Sequence, residues 1–418
     1  DAGFERELEA FTQLTGIELE LGSSEEQDVQ NIATGDLELP DIVAYGGRIP
    51  TWAQPRAIDI DQLIDSETLR ADFGEYLLRF GTVADDGDTP SRDGTVRAIP
   101  LTVDLKGLVY YPKEEFEAAG YEVPANWEDL LALSHQIVTD GGTPWCFGFA
   151  SGFASGWPGS DFLESLVLRV DGVDTYDAWI AGDVGFTSPA VMEAGRLADE
   201  LIFEPGFVRG GPELISNETW DDQLFHMLNR NSVTGAIEPE CWLYHQANFV
   251  LRLVPPGTRI GQDIDFFVLP PVDPDQPTPS IGGGLSASAL VDRPEVRAFV
   301  EFMASPQWGE VWAGDADGGF ISANRRFDTT SYGDPAADPA AAVRFAMASA
   351  VRTALDAGVW RYDASDLMPT EIGGWTEGIG PGAFWQGLVD WVDGIRPIEE
   401  VLADIDAERA ALGTDGEP

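Results

Sequence analysis

Lysine is nearly absent from this chain: of 24 basic residues only Lys106 and Lys113 are lysines, and the rest are arginines. Basic charge as a whole is scarce. Against 73 acidic residues it leaves a formal net charge of −49 over 418 residues. That argues against nucleic acid and against anionic membrane surfaces as partners. No apolar run reaches the roughly 18 residues that a membrane span needs, and no segment reads as a signal peptide. The acids are scattered rather than gathered in a tail, the pattern of a solvated surface that suits a saline or extracellular setting. Cysteine occurs twice and histidine three times. Neither Cys146 nor Cys241 has a second cysteine or a histidine at metal-ligand spacing. His135, His226 and His245 show no His-x-x-x-His or Cys-His pattern, so zinc is not expected. Two cysteines far apart in an otherwise cysteine-free chain point to one disulfide made outside the cytoplasm. Two buried, unrelated thiols are the alternative.

Catalytic motifs are missing as well. Gly282-Gly283-Gly284 lacks the Gly-Lys-Ser/Thr of a phosphate-binding loop. Gly148-Phe149-Ala150-Ser151-Gly152 and Gly152-Phe153-Ala154-Ser155-Gly156 place serine one position too late for a nucleophile elbow. A glycosidase needs only two carboxylates, and a chain this acidic does not exclude that by composition. Enzyme chemistry is nonetheless the weaker reading, and no cofactor is called for.

What is present is an aromatic-rich α/β pattern. Hydrophobic residues make up 44% of the chain and aromatics 11%, enough for two sizeable cores. Phe4, Leu8, Phe11 and Leu14 recur at helical spacing over residues 2–15. Ile17, Leu19 and Leu21 then alternate with glutamates as a half-buried strand, and residues 41–45 read as another. This rhythm predicts a parallel sheet covered by helices, with ligands outside the carboxyl ends of strands, near Tyr45 and Gly46. Helices are expected over 126–139, with Asn126 as N-cap, and over 160–170, 188–203 and 218–229. Further helices begin at Pro294, Ala340, Gly382 and Ile398. Residues 232–237, 265–269 and 285–291 read as strands. Residues 270–279 are the strongest linker. Residues 99–111 form an apolar, strand-like run in which the Lys106 ammonium either pairs with Asp104 or reaches into a wet cleft. Trp52, Trp145, Trp157, Trp242, Trp312, Trp375 and Trp385 stand beside Gly, Pro or acidic residues. A sugar ring, with apolar C–H faces and hydroxyl edges, suits such aromatic platforms flanked by polar partners, although most tryptophans fill cores.

Pro144-Trp145-Cys146-Phe147-Gly148, Gly156-Trp157-Pro158-Gly159-Ser160-Asp161 and the downstream Leu168-Arg169 resemble the extracellular solute-binding proteins of carbohydrate ABC transporters. So do Cys241-Trp242-Leu243-Tyr244-His245-Gln246-Ala247-Asn248-Phe249, Tyr362-Asp363-Ala364-Ser365-Asp366-Leu367-Met368-Pro369 and Gly382-Ala383-Phe384-Trp385. The motifs are in the family's order, span nearly the whole chain and are most similar to the α-glucoside-binding branch. The resemblance implies a maltose-binding-protein-like α/β fold of two lobes with a ligand cleft between them. The first lobe is expected at residues 1–108 with 282–330 and the second at 112–275 with 334–418. Crossings are placed near 103–111, 272–282 and 327–333. The resemblance also implies that Cys146 and Cys241 pair. Ligand-binding positions carried over from it are Tyr45, Arg48, Asp104, Lys106 and Trp385, then Trp157, Asp161, Trp242, Gly283, Asp363 and Asp366. Each has a structural alternative: Asp363 and Asp366 as turn or cap residues, Gly283 as a bend, Trp242 packed on the disulfide.

Two departures stand out. Family members open with an apolar strand before the first helix, whereas this chain opens within that helix, so a central strand of the first lobe is expected to be missing. Phe162 stands where relatives often carry tryptophan. The implied function is capture, without chemistry, of an α-glucoside or related di- or oligosaccharide. Delivery would be to membrane permease subunits, by a monomer in the periplasm or on the outer face of the cell membrane. A carbohydrate-active hydrolase is the first alternative, and a cell-surface sugar sensor or adhesion module the second.

Overall fold

A computed structural model describes residues 2–22, 39–47, 49–50, 52–83, 94–276, 278–314, 319–376 and 380–415. The chain divides into two compact units, Asp1–Asp104 with Gly283–Asp334 and Leu105–Gly282 with Pro335–Pro418.

In the first unit, helix Ala2–Thr15 buries part of the stripe that its spacing predicts, with Phe4 half-buried. Leu8 and Phe11 are inside while Leu14 faces solvent. The Phe11 ring lies 4.8 Å from Phe299 and 5.2 Å from Phe302, on helix Pro294–Ala304. Helix Ser66–Leu78 starts where the Asp65 side chain accepts from Thr68 N at 2.9 Å, satisfying an orphan helix-end donor. Strand Ile42–Gly46 pairs with Leu285–Ala289, which also pairs with Ile99–Pro100, and both ladders are antiparallel. The expected parallel sheet is therefore corrected for these strands. Their partners come from distant sequence, which a local strand–helix rhythm does not reveal. Residues 17–21 keep their alternation, with Ile17 and Leu19 half-buried, but form no strand. An alternating pattern becomes a strand only when its backbone finds a ladder partner.

The second unit is built on strand Leu108–Tyr111, buried throughout and flanked antiparallel by Leu243–Gln246 and Asp265–Val268. Trp145–Cys146 joins the other edge of Leu243–Gln246 in parallel. A separate parallel ladder pairs Ser280–Gly282 with Trp360–Tyr362. Cys146 lies on one of two adjacent strands and Cys241 just before the other. The disulfide Cys146–Cys241 closes there across a Cα–Cα distance of 5.4 Å, with no cysteine left free. On the loop-entropy model, a closure of 95 residues contributes on the order of 4 to 5 kcal/mol. Helices Trp127–Thr139, Trp157–Ala181, Pro189–Ile202, Pro339–Asp356, Ala383–Val392 and Ile398–Asp415 cover the strands. Asn126 caps the first of them, accepting from Asp129 N at 2.9 Å.

Two expectations fail locally. Residues 232–237 form a turn closed by an Arg230–Ile237 bridge. The Asn231 side chain accepts from Val233 N and Thr234 N, and this local capture outcompetes the β-branched run. The helix expected over 218–229 is confined to Gln223–Met227. Before it, Thr219 bridges Ala150 and Trp220 N donates to Ala150 O.

Candidate functional site

Helix Trp157–Ala181 begins at Gly156, whose φ is 103° and where a Cβ would collide with the Trp385 carbonyl. From there Trp157, Ser160, Asp161, Glu164, Ser165 and Arg169 follow at spacings of three and four, so they share one face. That face is buried apart from half-exposed Trp157. Its charged groups therefore meet hydrogen-bond partners. Lys106 Nζ bonds to Asp161 Oδ1 at 2.9 Å and to Asp363 Oδ2. Asp363 also caps the turn Ala364–Leu367, taking Asp366 N at 3.2 Å and Ser365 Oγ at 2.7 Å. Glu164 accepts from Ala364 N, Ser365 N and the Tyr176 hydroxyl. Arg169 donates to the carbonyls of Ser165, Leu269, Pro270 and Pro279.

Electrostatics follow from burial and these partners. Burial alone would lower the Lys106 ammonium. The Asp161 and Asp363 charges, with Asp366 beyond, outweigh it and hold the pKa well above the ordinary lysine value. Burial lifts Asp161 well above the usual carboxylate range, Lys106 opposing and Asp363 adding to the rise. Burial acts the same way on Asp363, but Lys106, the bond to Asp161 and Ser365 win, and its pKa falls. Burial and then the Asp363 and Asp161 charges raise Glu164. Burial, with the nearby Arg169 and Lys106 charges, drops His245 to about 3, so its imidazole is neutral.

Above the buried charges stands an aromatic face. The half-exposed rings of Trp157, Trp220 and Phe249 are mutual neighbours, with centroids 5.2, 6.2 and 6.0 Å apart. Lys106 Nζ is 5.6 Å from the Trp157 ring centroid, and Arg252 stacks over Phe249 at 5.5 Å. Tyr244 OH donates to the Trp220 carbonyl and fixes that ring's backbone. Asn248, fully buried, exchanges two hydrogen bonds with Leu105, beside Lys106. Trp385 is mostly buried, its indole N–H donating to Ser160 Oγ at 3.1 Å. The result is an apolar ring surface over a buried, hydrogen-bonded polar base. Among the described residues no cluster of three His, Cys, Asp or Glu side chains could hold a metal ion.

The comparisons with known proteins agree in kind. A family model described as bacterial extracellular solute-binding protein matches residues 1–310. The chain belongs to that family. It is 34% identical over 390 residues to the alpha-glucosides-binding periplasmic protein AglE of Rhizobium meliloti (strain 1021), covering 92% of this chain and 79% of that protein. It is 30% identical over 403 residues to the osmoprotective compounds-binding protein GgtB of Synechocystis sp., covering 93% and 85%. The solved structure of the bacterial solute receptor AcbH matches with a TM-score of 0.76 at 16% identity, covering 98% and 95%. The fold is thus the mixed α/β fold of periplasmic solute-binding proteins. The family and the relatives it matches are binding proteins rather than enzymes. No described helix is long and apolar enough to cross a membrane.

Of the residues singled out in the sequence, the structure brings Lys106, Trp157, Asp161 and Asp363 together. Asp366, exposed, adds to the field at Lys106, and Trp385 joins through Ser160. Lys106 neither pairs with Asp104 nor reaches into water: it is 8% exposed and bonded to Asp161 and Asp363. Asp104 is half-buried in the first unit, its N–H donating to the Gly283 carbonyl at 3.0 Å. Tyr45 bonds to Ser288 Oγ at 2.8 Å, and burial raises its hydroxyl pKa. Arg48 lies outside the described residues. Trp242 packs edge-on to Tyr121 at 5.1 Å and close over Gly142, against the hydrophobic core. Trp220 and Phe249 were missed as site residues. Trp220 sits in Thr219-Trp220-Asp221-Asp222, the acid-flanked setting used to choose the other tryptophans, inside a stretch read as helix.

Proposed function

We propose that this protein captures a neutral α-glucoside, or a related di- or oligosaccharide, for an ABC importer whose permease subunits receive it. It would work in the periplasm or on the outer face of the cell membrane. The observation that carries the reading is the 34% identity to an alpha-glucosides-binding protein over 92% of the chain. The Trp157, Trp220 and Phe249 face supports it, because half-exposed aromatic rings suit the apolar C–H faces of a pyranose. Lys106 is fully neutralised by its partners, which favours an uncharged ligand. Tyr45, Asp104 and Gly283 of the first unit remain candidate contacts, as do Asp366 and Trp385 of the second.

A second reading is capture of an osmoprotective compound, the ligand class in the name of GgtB, whose length this chain covers more fully. The acidic composition fits it, since a net charge of −49 is eased by high salt. A thermal-shift screen separates the two, because a ligand that binds only the folded state raises the melting temperature. The panel holds maltose, trehalose, sucrose and longer α-glucans beside non-sugar compatible solutes. A rise with the α-glucosides alone is the expected result. A rise only with the non-sugar solutes transfers the case to the second reading.

A further inference from the structure

Three carboxyls surround one ammonium in the second unit. Asp161, Glu164 and Asp363 are 3%, 0% and 1% exposed around Lys106. Fully ionised, the group would hold two uncompensated negative charges in the interior, and a buried acid avoids that by keeping a proton. The hydrogen-bond donors are unevenly shared. Asp363 takes Lys106 Nζ, Ser365 Oγ and Asp366 N. Glu164 takes two backbone N–H groups and a tyrosine hydroxyl. Among the described donors Asp161 takes Lys106 alone, and the same Nζ bonds Asp363, which brings two carboxyls to one ammonium, where two ionised groups would repel.

We infer that Asp161 stays protonated at neutral pH and donates that proton to Asp363, and that this acid pair, pinned by Lys106, positions the aromatic face without touching ligand. Trp157 lies one turn before Asp161 on the same helix, with its ring over Lys106 Nζ. Ser365, which donates to Asp363, is 3.5 Å from Ser160 Oγ, and Ser160 holds the Trp385 indole. Both tryptophans are thus tied to the pair. The positioning half rests on the binding face proposed above; the shared proton does not.

The groups facing the pair are known. They are Lys106 ahead of strand Leu108–Tyr111, Glu164 on the same helix, Asp366 on the 364–367 turn and Tyr244 on strand Leu243–Gln246. His245 lies in the fields of Arg169 and Lys106. An acid that holds its proton more tightly when folded contributes stability below the ordinary carboxyl range. That stability is lost as pH rises through the folded value. Asparagine imitates the protonated form and does not titrate.

The test compares wild type, Asp161→Asn and Glu164→Gln by thermal melting from about pH 5 to about pH 9, a window that opens above the ordinary carboxyl range. Asp161→Asn should fold, with the wild type losing ground to it steadily as pH rises. Glu164→Gln should remove only the part of the loss that the raised Glu164 carries and keep the part that belongs to Asp161. Infrared spectra at neutral pH should show a protonated-carboxyl C=O band in wild type that Asp161→Asn removes. Absence of that band from wild type overturns the shared proton, as does a variant uniformly and strongly destabilised across the range. Maltose titration reads the positioning role. Lys106→Met, which removes the pin of the pair, should bind about tenfold or more weakly than wild type. The wild-type affinity should also weaken with rising pH while that of Asp161→Asn stays level. A folded Asp161→Asn that no longer binds maltose makes Asp161 a ligand contact and overturns that role. If wild type itself ignores maltose, the sugar reading fails, and melting and infrared still decide the acid pair.

Discussion

Helices Trp157–Ala181 and Pro189–Ile202 pack side by side in the same unit and share its apolar core, yet only the first also buries a charged face. The second buries Val191, Ala194, Leu197, Ala198, Leu201 and Ile202, and keeps Glu193, Arg196 and Glu200 in solvent. It follows the ordinary amphipathic plan. The first buries Asp161, Glu164 and Arg169 on the face that runs up to Trp157. Hydrophobic burial would hold either helix in place. Charges inside are tolerated only where each meets a defined partner, and such partners fix directions as well as positions. The difference separates a helix that only builds the unit from one that also aims side chains at a surface.

The largest effect should come from unbalancing the charged helix. Asp363→Ala removes the main anion beside Lys106 and the cap of Ala364–Leu367, and should cost about 3–5 kcal/mol in urea unfolding. A loss under about 1 kcal/mol would mean that the cluster rearranges and the charges need no fixed partners. On the neighbouring helix, Leu201→Ala should cost about 2–4 kcal/mol by transfer and cavity terms, with ligand affinity unchanged. If affinity falls as far as stability, the two helices do not divide labour. The smallest effect belongs to the exposed pairs. Arg196→Ala breaks contacts of 2.7 and 3.2 Å to Glu193 and Glu200, yet should change stability by about 0.5 kcal/mol or less. That small change should vanish in high salt, whereas the Asp363→Ala loss should persist.

The same contrast explains what the sequence made legible. Helix Pro189–Ile202 was readable because its apolar stripe recurs within itself. Asn126 as an N-cap was readable for the same local reason. Scarcity of cysteine pointed to a disulfide but left two separate thiols open, and the family resemblance supplied the pairing. The partners of Lys106 were not readable from pattern, because Asp161 is 55 and Asp363 is 257 residues away. The family resemblance supplied those residues as ligand contacts, and the structure gives them to one another. Trp220 was hidden for a different reason. Its stretch carries helical spacing, but a bridge from Thr219 to Ala150 puts Trp220 in the turn that precedes helix Gln223–Met227. Residues 17–21 show the converse, a strand pattern without a ladder. Local periodicity fails wherever a distant partner decides the backbone.

Isothermal titration of wild type, Trp157→Ala and Trp220→Ala with maltose, trehalose and sucrose tests the central claim most directly, that this is a sugar-capturing protein with an aromatic face. The account predicts saturable binding of at least one of these sugars by wild type. Each substitution should weaken it by about 1–3 kcal/mol, with melting temperature little changed because both rings are half-exposed. Wild type silent to all three sugars, or both variants binding as tightly as wild type, would contradict it.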